Sequence, residues 1–84
     1  MNSDNVNISE FRALAEAFGI ADPHARYEIA WTGWKYQASI RCRVKGHQVL
    51  SFGIGDTEAQ AVEACINDTS DQTQKVLVAA CDPG

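Results

Sequence analysis

Among 84 residues, chemistry has to be sought first in the thiols, imidazoles and carboxylates. The chain has three cysteines, Cys42, Cys65 and Cys81, and two histidines, His24 and His47. A thiol becomes a nucleophile when an imidazole takes its proton, and Cys42 with His47 is the pairing to test. Strand alternation puts Cys42 on a core-facing position and His47 at a hairpin end, so the two are not expected to meet. Neither histidine has a partner at metal-ligand spacing, and there is no CxxC pair. Glu58 and Glu63 are five residues apart and fall on different faces of a helix, which removes a paired-carboxylate acid and base. Gly53-Ile-Gly55 lacks the third glycine and the βαβ setting of a dinucleotide site. The residues therefore predict no catalytic site, no metal and no cofactor: a non-enzymatic chain. Cys42 and Cys65 read as reduced, buried thiols, while Cys81 near the end is open to exposure.

Charge is distributed unevenly. The formal net charge of −4 argues against a generic polyanion binder, because non-specific nucleic-acid affinity comes from lysine and arginine displacing counterions. Five of the seven basic residues nevertheless lie between Arg26 and Lys45, where Glu28 is the only acid. Six of the eleven acids follow Gly55, where Lys75 is the only base.

These residues must be held by a small single domain spanning 1–84. Residues 1–8 are polar and are expected to be free. They lack an apolar run and do not resemble a signal peptide, so the cytoplasm is the compartment expected by default. No stretch approaches a membrane span. Phe11, Leu14, Ala15 and Phe18 form one helical stripe after Ser9, a potential N-cap, and Gly19 closes a helix over Ser9–Phe18. Asp22-Pro23-His24 is a connector. Tyr27, Ile29 and Trp31 alternate with Glu28, Ala30 and Thr32 as a half-buried strand.

A two-residue turn at Thr32-Gly33 would set Trp34 opposite Trp31. Trp34, Tyr36, Ala38, Ile40, Cys42 and Val44 then face the core, and Lys35, Gln37, Ser39, Arg41, Arg43 and Lys45 face away. Gly46 marks the next turn. If Leu50, Phe52 and Ile54 are the inward set of the third strand, the loop must hold three residues and a bulge; a two-residue loop would bury Val49 and Ser51 instead. Burial favours the first register.

A second helix starts near Thr57, capped by Asp56 or Thr57, with Ala59, Val62, Cys65 and Ile66 on one face. Residues 67–84 either extend this helix or form a docked tail, the extension being preferred. The expected fold is α+β, ordered αβββα, with two helices on one face of a three-stranded antiparallel sheet.

The order and several motifs resemble the double-stranded RNA-binding domain over about Ser9–Ile66. Leu14-Ala15-Glu16 is similar to that family's first-helix signature. Pro23 and Tyr27 match its proline and first-strand tyrosine, Gly53-Ile-Gly55 its glycine pair, and Ala61 with Cys65-Ile66 its small packing positions. The resemblance implies the fold. It implies duplex binding only through lysines at the start of the second helix, where this chain has Glu58, Ala59 and Val62, and through a first-hairpin histidine, where it has Tyr36.

Two surfaces are therefore expected to bind a partner protein: a basic sheet face of Lys35, Arg41, Arg43 and Lys45, and an acidic helix face of Asp56, Glu58 and Glu63. Trp31 and Trp34 at the hairpin tip either close the core or anchor a partner. The function expected is a protein-binding adaptor or inhibitor, monomeric or homodimeric. It resembles the small acidic proteins, anti-CRISPR proteins among them, with which phages and mobile elements block host nucleic-acid machinery. The alternative is a degenerate RNA-binding module. Strand aromatics facing inward count against RNA, because sheet-based RNA modules present stacking rings.

Overall fold

The computed structural model describes residues 6–20 and 22–81. The order is α1 (Ile8–Ala17), β1 (Arg26–Trp31), β2 (Tyr36–Val44), β3 (His47–Gly55) and α2 (Glu58–Cys81), an α+β arrangement with one antiparallel sheet in the order β1-β2-β3. Of the segment expected to be free, residues 1–5 lie outside the described residues, as does the exposure of Cys81. Val6 is buried, and Asn7 rather than Ser9 caps α1. Asn7 Oδ1 accepts the Glu10 amide at 2.8 Å, while Asn7 Nδ2 donates to Glu10 Oε1 at 3.0 Å. This satisfies one of the orphan N–H groups of the first turn. Of the α1 stripe, only Phe11 and Ala15 are buried; Leu14 and Phe18 stand exposed.

The first hairpin is wider than expected. Trp31 pairs with Tyr36, so the loop holds four residues, closed by the Thr32 amide and hydroxyl, both donating to the Lys35 carbonyl at 2.8 Å. Widening the loop by two residues preserves the faces of both strands but removes Trp34 from the sheet. Tyr27 pairs with Ile40 and Ile29 with Ala38.

The third strand corrects the sequence reading. Val44 pairs with His47 across a two-residue turn, Lys45-Gly46, whose φ angles are +53° and +81°. Positive φ at both positions is the turn that matches the twist of paired strands. Val49, Ser51 and Gly53 are consequently buried, while Leu50, Phe52 and Ile54 are exposed. The reason is the closeness of α2. A Cβ on Gly53 would overlap the Ala61 carbonyl and the Cys65 amide and lie 2.7 Å from Cys65 Cα; one on Gly55 would lie 2.7 Å from the Ala61 amide nitrogen. Phenylalanine and isoleucine in those seats would push the helix off the strand, so the small residues take the helix side.

α2 runs unbroken through its polar middle to Cys81. Thr57 Oγ1 accepts the Gln60 amide at 3.1 Å, and Gln60 Oε1 accepts the Asp56 amide at 2.9 Å, which closes the helix start. Of the weak helix formers between 67 and 72, Thr69 is buried, its hydroxyl donating back to the Cys65 carbonyl one turn earlier in α2 at 2.8 Å, and Gln72 is held by β3. Gln72 Nε2 meets the Leu50 carbonyl (3.1 Å), Ser51 Oγ (3.2 Å) and Asp68 Oδ2 (2.9 Å). One core joins Phe11 and Ala15 of α1, Tyr27, Ala38, Ile40, Cys42 and Val49 of the strands, and Ala61, Val62, Cys65 and Ile66 of α2. Among the described residues, no helix is long and apolar enough to cross a membrane.

Candidate functional site

Correcting the β3 register changes what the exposed row of the sheet carries. The pairings set three ranks across the strands: Arg26, Arg41 and Leu50; Glu28, Ser39 and Phe52; Ala30, Gln37 and Ile54. Arg43 opposite Gln48 extends the first end. The row is thus basic at one end and apolar along β3, where Leu50, Phe52 and Ile54 are 43%, 50% and 59% exposed. Three large apolar side chains at alternate positions form a continuous stripe, unlike the scattered single ones that any surface carries.

Arg26 and Arg41 are direct cross-strand partners. Like charges in that position repel, and among the described residues the only ion pair is Lys35 with Asp56, so neither arginine has a carboxylate in salt-bridge contact. Arg26, Arg41 and Arg43 line a hollow of about 420 Å³ with Asp22, His24 and Gln48. A second hollow, of about 230 Å³, joins Arg26 and Arg41 to Leu50 and Phe52, with Glu28 and Ser39 in its lining. Asp22 is already occupied: Oδ1 accepts the His24 amide at 2.9 Å and Oδ2 the Arg43 amide at 2.8 Å. Those two backbone hydrogen bonds hold its carboxyl below the usual range. β1 begins opposite Arg41, so Asp22 takes over the Arg43 amide that β1 does not reach.

Two of the four basic residues predicted for this row are elsewhere. Lys35 lies in the first hairpin loop, its Nζ 2.6 Å from Asp56 Oδ1 and 5.2 Å from the centre of the Trp34 ring. Lys45 supplies the left-handed residue of the second turn. The predicted opposition of basic sheet and acidic helix therefore fails at Lys35 and Asp56, which touch. With Asp56 73% exposed, the pair contributes little to stability, about 0.5 kcal/mol. Arg41 and Arg43 keep their predicted place, and Arg26 joins them. Of the remaining acids, Glu63 is exposed and Glu58 half-buried in the first turn of α2. Val62, one of the positions where the RNA-binding family has lysine, is buried.

No family model, curated protein or solved structure matches this chain.

The hairpin tip is open. Trp34 is 76% exposed, and Trp31 is 56% exposed although it meets Tyr36 edge-on at 4.9 Å. Trp31 lies at the end of its strand, so it does not close the core. A further groove of about 350 Å³ between the helices is bordered by Leu14, Phe18, Val62, Glu63 and Ile66. Of the thiols, Cys42 lines the arginine hollow. Cys42 is buried and His47 exposed at the start of β3. Burial raises the Cys42 thiol and pushes Cys65 up to about 12, so neither forms the thiolate that nucleophilic chemistry needs near neutrality. Among the described residues, no three histidine, cysteine or acidic side chains come together as a metal site.

Hydrophobicity alone places Leu50, Phe52 and Ile54 in the core, which hides the apolar half of the row. The signal that could have placed them is the glycine pair. Gly53 and Gly55 sit at alternate positions just before a helix, and the helix must lie on the face they share.

Proposed function

We propose that this protein is a small non-enzymatic protein-binding module that docks its partner on the exposed row of the sheet. The observation that carries this is the stripe of Leu50, Phe52 and Ile54 beside arginines that have no ion pair among the described residues. Both helices are taken to cover the opposite face. This is supported by Phe11 against Tyr27 at 5.1 Å and by α2 against Gly53, since Tyr27 and Gly53 belong to the buried alternation of their strands. The free face then offers an apolar strip with a charged end, the composition of a binding surface with an anchoring centre and a polar rim.

An adaptor or an inhibitor would use such a face equally. The analogy with small acidic phage and mobile-element inhibitors, anti-CRISPR proteins included, rests on size and on the negative groups over α2. Degenerate RNA binding is the second reading. It gains one point from geometry: Phe52, an aromatic, faces outward beside arginines. It loses on the start of α2, where Glu58 is acidic and Val62 buried.

A photocrosslinking amino acid at position 52, compared with one at position 63, tests the docking surface in extract of the native host. Protein adducts at 52, competed away by excess unmodified protein, are expected. Nuclease-sensitive adducts would favour RNA, and no adduct at 52 would overturn the reading.

A further inference from the structure

The charge and shape of the exposed row restrict what can lie on it. We infer that its occupant is an acidic segment of another protein that also carries apolar side chains, with carboxylates on Arg26, Arg41 and Arg43 and apolar groups on Leu50, Phe52 and Ile54. This rests on the docking surface proposed above and specifies its ligand.

Three observations converge. Arg26 and Arg41 are held opposite each other with no carboxylate in salt-bridge contact among the described residues, an arrangement that an incoming carboxylate relieves. Guanidinium groups grip carboxylates with two parallel hydrogen bonds, and the planar fork makes arginine better suited to this than lysine. Two acids lie near that end: Asp22 has each oxygen committed to a backbone amide, and Glu28, which lines the hollow with Arg26 and Arg41, is in salt-bridge contact with neither. Finally, the hollow between Arg26, Arg41, Leu50 and Phe52 makes the basic and apolar parts one surface, so a single ligand can reach both.

Two other occupants fit less well. A second copy could add to the outer edge of β3, which carries no charged residue and no proline to discourage pairing. That edge is shielded. α2 lies directly over β3, with Gln72 taking the Leu50 carbonyl. Paired strands are about 4.8 Å apart, whereas two packed helices need about 8–10 Å between axes. Two copies face to face would bring a single carboxylate, Glu28, against three arginines on each copy, leaving most of the positive charge unmatched. A nucleic-acid strand would satisfy the arginines, but bases stack on flat rings, and two of the three side chains on the stripe are aliphatic. Beyond the first rank, the neutral Ser39 and Gln37 give phosphates no continuing positive track.

The test screens a peptide library of fixed length with acidic–apolar, neutral and basic–apolar pools, followed by anisotropy titrations of the selected peptides. Labelled single-stranded and duplex RNA of comparable length run alongside. Enrichment of the acidic–apolar pool is expected. Arg41→Ala and Phe52→Ser should each weaken the selected peptide by about tenfold or more, Arg41→Lys should restore only part of the affinity, and Glu63→Gln should leave it unchanged. These positions are exposed, and a thermal melt of each variant verifies that the fold persists. Enrichment of the neutral or basic pool, no enrichment, or RNA binding tighter than the best peptide overturns the inference. Unchanged affinity in Arg41→Ala does the same. If position 52 still crosslinks to protein while the acidic pool fails, the ligand class is wrong and the docking surface stands; without crosslinking at 52, both fall.

Discussion

A methyl group on Gly53 would have no space to occupy. Backbone atoms of Ala61 and Cys65 already fill its position, and backbone cannot rotate aside as a side chain can. Gly53→Ala should therefore cost about 3 kcal/mol, at the upper end of overpacking penalties, read as a drop in the urea midpoint. Asp22 makes a different kind of contribution. Its hydrogen bonds to the His24 and Arg43 amides lower its pKa from the ordinary 3.8. A carboxyl depressed on folding stabilises the fold fully above its unfolded value and loses that effect as pH falls through its folded value. Asp22→Asn should then be less stable than the parent at neutral pH, and the gap should close as the solution is acidified below about 3.8. Chemical denaturation of both proteins across that range measures it, and a constant gap would show that the charge plays no part.

β3 is the element on which the functional reading turns. If its buried residues are Val49, Ser51 and Gly53, then Phe52→Ser removes an exposed ring and should change stability by about 0.5 kcal/mol or less. Ile40→Ala, at a fully buried position of β2, should cost about 3 kcal/mol. The opposite register would make the phenylalanine change as damaging as the isoleucine one, so a pair of melts decides it. α2 depends on the same strand. Its sequence between 67 and 72 is poor in helix formers, and Gln72 is engaged only because Leu50 and Ser51 of β3 are within reach. Helix propensity is a weak prior that tertiary contact overrides.

Across the whole molecule, the charges separate less cleanly than their order in the chain suggests. Lys35 crosses to Asp56 and ties the first hairpin to the start of α2, while Lys45 is drawn into a turn. What remains on the sheet is a compact arginine group beside an apolar stripe. α2, at 24 residues, spans about 36 Å. Its last turns leave Val78 66% exposed, so the helix outruns the core it covers. Of the two edge strands, β3 is crowded by α2, which takes its Leu50 carbonyl through Gln72, while the exposed row stays accessible.

The order of elements could be read directly from the residues, because strand alternation and helical stripes are local signals. So could the buried faces of β1 and β2, where Tyr27, Ala38, Ile40 and Cys42 agree in parity across any even loop. The strand in which large apolar residues and glycines disagree could not. Hydrophobicity assigned Leu50, Phe52 and Ile54 to the inside, and only the approach of α2 decided otherwise: a helix pressed against Gly53 and Gly55 leaves room for no side chain there. The binding row follows from that steric fact. Burial is a competition for limited space between packed layers, and its outcome depends on what packs from the other side.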